Sequence, residues 1–101
     1  MDSIVTKYTN LCAFCNNGRP ASEIHHLCFG RGVRELADDD GLTIGLCKGC
    51  HDKVHHGRDG IEAQMSRIIG QLAYEKRKCA EGMTEEEARE SFRKRYGVSH
   101  L

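Results

Sequence analysis

Two Cys-x-x-Cys pairs, Cys12 with Cys15 and Cys47 with Cys50, constrain this chain more than any other feature. Thiolates two residues apart converge on one centre through a tight turn, and Zn²⁺ takes four of them tetrahedrally at about 2.3 Å. Four protein ligands leave no open position for water, so the spacing predicts a structural zinc. Such an ion would tie the N-terminal segment to a distant part of the chain and place much of the folding free energy in metal binding. A chain of 101 residues buries only a modest core and gains from that cross-link. Four separate buried thiols, a redox dithiol and an iron–sulfur cluster are weaker readings, since a dithiol needs one pair rather than two. Cys28 and Cys79 are left over. Cys79 reads as a small packing residue in a helix. Cys28 lies near a histidine pair and competes as a ligand, but has no partner at bite spacing.

The elements around these pairs follow from periodicity. Ser22 to Phe29 alternates loosely and reads as a strand; Leu42 to Leu46 is a second, entered from Gly41. Together they predict a hairpin with a long acidic, glycine-rich loop. From Cys47 the run KGCHDKVHHG suits a short helix ending at Gly57. Asp59 is placed to cap a longer helix in which Ile61, Met65, Ile68 and Leu72 form an apolar stripe, widened by Ile69 and Ala73, for packing. Gly82 would end it. Thr84 with Glu87 fits a capping box; Ala88, Phe92 and Tyr96 share the next helix's inner face, and Gly97 stops it. This tail is expected to fold back on the metal core or to dimerise. The fold class is therefore α+β, one domain over residues 1–101: a zinc-stabilised core at 12–57 and a helical extension at 58–101.

Five of six histidines fall in EIHHLCFGRG and LCKGCHDKVHHG. On a helix, His51 and His55 share a face about 6 Å apart along the axis, a spacing that lets two imidazoles bind one metal. His56 would replace His55 only if the helix were kinked. On a strand, His25 and His26 point to opposite faces unless a bulge turns both into one cleft. Glu23 shares the face of His25 and is placed to hold a ligand histidine by a hydrogen bond. A regulatory or second structural zinc site is the chemical alternative, and His100 reads as surface.

Fifteen basic residues balance fifteen acidic ones, so net charge points to no polyanion, though local patches carry phosphate contacts. No apolar run approaches a membrane span, and MDSIVTKYTN lacks the apolar stretch of a secretory signal. A cytosolic setting with no membrane partner is expected, and there disulfides are disfavoured.

The ordered set Cys12-x-x-Cys15, Glu23-x-His25-His26, Leu46-Cys47-x-x-Cys50-His51 and His55 resembles the HNH endonuclease superfamily, with its ββα-metal (His-Me finger) fold. RELADDDGLTIGLCKGCHDKVHHG and the tail SFRKRYGVSHL are similar to small bacteriophage HNH proteins, which implies a bacterial host cytoplasm. The resemblance is specific over 12–57 and loose in the tail. It implies a metal-dependent phosphodiester hydrolase, an endonuclease or nickase acting on DNA. His25, His51 and His55 would bind the catalytic divalent metal (Mg²⁺, Mn²⁺, Ni²⁺ or Zn²⁺), and three imidazoles suit the softer ions. His26 would be the general base for an attacking water, supported in the catalytic set by Glu23, with 5′-phosphate and 3′-hydroxyl products.

One departure is plain. The asparagine that names the family is absent near Gly41-Leu42; the asparagines are Asn10, Asn16 and Asn17. A backbone carbonyl or one of Asp38, Asp39 and Asp40 would have to orient His26, or activity would be weak. Arg31 and Arg34, just after the histidine pair, are placed to grip phosphate, with Lys48, Lys53 and Arg58 flanking. No base-reading helix or stacking platform stands out, so little sequence specificity is expected. The missing asparagine favours the alternative of an inactive zinc module that binds nucleic acid or protein. A third reading places function in the tail, as a homodimer or a phage or host protein contact.

Overall fold

A computed structural model describes residues 3–15, 18–30, 32–57 and 60–101. Over the described residues it is α+β, with one two-stranded sheet and four helices. Strands β1 (Glu23–His26) and β2 (Thr43–Leu46) pair antiparallel, with His25 opposite Ile44 and His26 opposite Thr43. Both strands are shorter than expected. Beyond β1, Leu27 and Cys28 are both buried in the core.

The loop expected between the strands holds a helix, α1 (Val33–Asp39). Its inner face is short: Ala37 is buried, and Val33 and Leu36 pack partly on the core, a stripe of three apolar residues within one turn or so. It is also fastened from outside: Asp40, at its C-terminal cap, accepts hydrogen bonds from Arg95 Nε (2.7 Å) and Tyr96 Oη (2.5 Å). Helix α2 (Lys48–His56) begins at the Cys47 cap and ends at Gly57, as the sequence predicts.

Next come α3 (Ile61–Ala80) and α4 (Glu85–Tyr96). The α3 N-cap is Gly60; Asp59, Arg58 and Arg31 lie outside the described residues. The stripe on α3 is only partly inward. Ile69 and Ala73 pack on the core, while Ile61, Met65 and Leu72 are about half exposed. The buried face carries Ser66, Gly70, Gln71 and Tyr74. Close approach is the reason: a Cβ on Gly70 would stand 2.8 Å from Cys28 Sγ and 3.0 Å from Leu27 Cβ. Only a glycine lets α3 lie against the segment leaving β1. A similar approach occurs at Gly45, where a Cβ would meet the Thr9 carbonyl oxygen at 2.0 Å, so the N-terminal segment runs directly over β2.

α4 behaves as expected. Thr84 and Glu87 form the reciprocal capping box, and Ala88, Phe92 and Tyr96 are buried. Phe92 stacks on Tyr96 (centroids 4.4 Å apart) and meets Tyr74 edge-on at 5.3 Å. The apolar core runs continuously from Cys12 through Leu27, Leu42, Leu46 and Val54 to Phe92 and Tyr96, so the tail folds back on the strands. No helix among the described residues is long and apolar enough to cross a membrane.

Candidate functional site

The N-terminal segment, held to β2 where the Ala13 amide donates to the Gly45 carbonyl at 2.9 Å, and the start of α2 bring the four predicted cysteines together. Their sulfurs all lie within 4.8 Å of one another, with Cys15 Sγ 3.6 Å from Cys47 Sγ and 3.5 Å from Cys50 Sγ. Thiolates around a tetrahedral zinc at about 2.3 Å stand roughly 3.8 Å apart, so the cage has the right size. Its electrostatics also call for a cation. Burial pushes the Cys12 thiol up, but the amides of Cys47, Phe14 and Cys15 outweigh it and bring the group down to about 6. The Cys50 amide at the start of α2 lowers Cys47 as well. Cys50 is pushed up to about 12 by burial and by the neighbouring thiols. Sulfurs this close cannot all be anionic unless a positive ion shares their charge.

A second cluster forms around the same sheet. His25 from β1 and His51 and His55 from α2 each offer a ring nitrogen, all within 4.8 Å of one another. Their ring centroids stand 4.8 to 5.4 Å apart. Hydrogen bonds set which nitrogen is available. Ser66 Oγ donates to the Leu27 carbonyl (2.7 Å), so it accepts from His25 Nε2–H (2.8 Å) and leaves the lone pair on His25 Nδ1. Glu23 Oε1 accepts from His51 Nδ1–H at 2.6 Å and leaves His51 Nε2 as the ligand atom. This carboxylate–imidazole pair is the support that orients metal-binding histidines. His25 is 1% exposed. Burial, then the charges of His51, His55, His26 and Arg34, push it down to about 3, and burial first also lowers His55. Neutral imidazole is the metal-binding form.

His26 faces away from His25, as strand alternation requires, and the register shows no bulge between them. Its Nε2–H donates to Asp38 Oδ1 at 3.3 Å. Of the three aspartates considered for the missing asparagine, Asp38 therefore reaches His26, while Asp40 is engaged by α4. The remaining lone pair sits on His26 Nδ1. His26 and Arg34 line one cleft, and the charges of both contribute to lowering His25.

Other expectations change. Cys28 is a core thiol in neither cluster, pushed up to about 12 by burial. His56 stays exposed outside the trio. His100 is not simply surface: it packs edge-on against Phe92 at 5.9 Å, and its amide donates to Gln71 Oε1. Sequence reasoning missed Ser66, Phe29 and Arg67. Phe29 touches the rings of His25 (5.6 Å) and His55 (4.8 Å), and the Arg67 guanidinium lies over the Phe29 ring, 4.2 Å from its centre. The small pair Ser66 and Gly70, four apart inside an apolar helix, was the signal available for the close approach.

Comparison with protein-family models, with curated proteins and with solved structures finds no match to the chain.

Proposed function

We propose that the chain is a metal-dependent phosphodiesterase of the HNH type, acting on DNA, with β1, β2 and α2 as its ββα-metal unit. One observation carries the reading: three imidazole nitrogens, two of them aimed by hydrogen bonds from Ser66 and Glu23, converge beside a fourth histidine held by a carboxylate. A purely structural module needs one metal clamp, and the cysteines supply it.

The trio suits a divalent ion of the softer kind, and such an ion would stabilise charge developing on the phosphate and on the departing 3′ oxygen. The chain's own residues do the rest. His26 Nδ1 takes a proton from the water that attacks phosphorus, the bond to the 3′ oxygen breaks, and that oxygen takes a proton from a solvent water to leave as the 3′-hydroxyl. Asp38 holds the His26 ring in the tautomer that leaves Nδ1 free. Glu23 acts through His51 rather than on substrate. The cysteine cage, read as a zinc site, keeps the start of α2 fixed to the sheet, which is how His51 and His55 meet His25.

The test is nicking of supercoiled plasmid with Mg²⁺, Mn²⁺ and Ni²⁺, with metal content measured in parallel. His26→Ala should lower kcat at least ~100-fold, the usual scale for a lost general base, without loss of metal. Asp38→Ala should lower kcat with little change in KM, and Asp38→Asn should recover most of it by keeping the accepting oxygen. Equal nicking by wild type and His26→Ala would overturn the assignment. Binding without cleavage under every ion would establish the inactive zinc module instead.

A further inference from the structure

Two clefts lie near the end of β1, one lined by His26 and the other by Phe29, whose ring packs on His25 and His55, and the two differ in charge. In the His26 cleft, Arg34 faces Glu35, Asp38 and Asp39. The other is a cleft of about 530 Å³ between the end of β1, α3 and the C-terminal segment. Arg67 is its only charged lining residue among those described, with Phe29, Gln64 and His100 nearby. No carboxylate among the described residues pairs with Arg67. Its guanidinium is fixed over Phe29, and the same ring packs on His55 and His25. One aromatic side chain thus positions the cation and two members of the trio together. Arg67 also acts on His55 and His100 through its charge.

We infer that Arg67 and its cleft form the phosphate subsite that carries the nucleic-acid strand past the trio, so the strand runs over α3 rather than over the acidic wall of α1. This rests on the phosphodiesterase reading for the choice of a phosphodiester as ligand. The physical argument is separate. A polyanion avoids a wall with three carboxylates to one arginine, and it is drawn to an unpaired, pre-oriented guanidinium that binds two phosphate oxygens at once. Bound across Phe29, Arg67 would hold a phosphate next to the one being cut and so act mainly on binding.

The experiment uses the full, metal-loaded chain in a His26→Ala background, which separates binding from cleavage. Affinity for a short duplex is measured by fluorescence anisotropy against salt, and for inorganic phosphate by calorimetry. Arg67→Gln keeps the stem on Phe29 and removes the charge. It should weaken duplex binding about tenfold, reduce the salt slope by about one and abolish phosphate binding. Arg67→Lys should recover the slope but only part of the affinity, and Lys76→Ala, an exposed residue of the same helix, should change neither. Unchanged affinity and slope in Arg67→Gln would overturn the inference whatever the nicking assay shows. Arg67-dependent binding in a protein that never cleaves would sink the nuclease reading and leave this one standing.

Discussion

One ring nitrogen of His25, Nε2, is committed to Ser66, which leaves the lone pair on Nδ1. Ser66 is in turn committed to the Leu27 carbonyl, and all three groups are buried. A chain of hydrogen bonds in a dry interior stiffens every member, and removing one leaves the others unpaired. Ser66→Ala should therefore cost about 1–3 kcal/mol in urea unfolding and loosen metal binding at the trio. A variant as stable as wild type, with unchanged metal affinity, would show that Ser66 only fills space. The i, i+4 spacing of His51 and His55 was legible because helix geometry is local. Ser66 was not, since its partners lie about forty residues away and nothing nearby in sequence marks them.

Among the elements, α4 shows local and tertiary signals agreeing. Its capping box, inner face and terminal glycine could all be read from consecutive residues, because each depends on neighbours within one turn or two. Thr84→Ala should lower stability by about 1 kcal/mol in thermal melts. The Thr84 amide, then its hydroxyl, hold the Glu87 carboxyl below its ordinary value of 4.5. A depressed carboxyl stabilises the fold above that ordinary value and loses the effect as pH falls through its lowered one. The gap in melting temperature between wild type and Glu87→Gln should accordingly close on acidification. α3 shows the opposite case. Its apolar stripe predicts one inner face, yet the buried face is rotated toward Ser66, Gly70 and Gln71, because backbone approach at Gly70 and two buried hydrogen-bond networks outweigh Leu72 and Met65.

At the scale of the whole molecule, the cysteine cage joins the N-terminal segment, the end of β2 and the start of α2; β2 pairs with β1, so the cage bears on how His25 of β1 meets His51 and His55 of α2. Loss of one thiol should therefore be felt throughout. If the cage holds zinc and the trio a second ion, as proposed, Cys50→Ser should release the zinc and abolish the cooperative melt, whereas His51→Ala should lose only the second ion and keep a melt close to wild type. Zinc content and circular dichroism on both variants check this; a cooperative, metal-free Cys50→Ser would show that the apolar core alone suffices. From residue order alone came the two cysteine pairs, the two strands, α2, α4 and the i, i+4 histidines of α2, since each depends on spacing over a few bonds. Only tertiary structure chose Asp38 among three aspartates, turned α3 by its glycine contact, and set Arg67 over Phe29 beside the trio. Those choices are made by contacts between segments far apart in the chain, and their energies are absent until the segments meet.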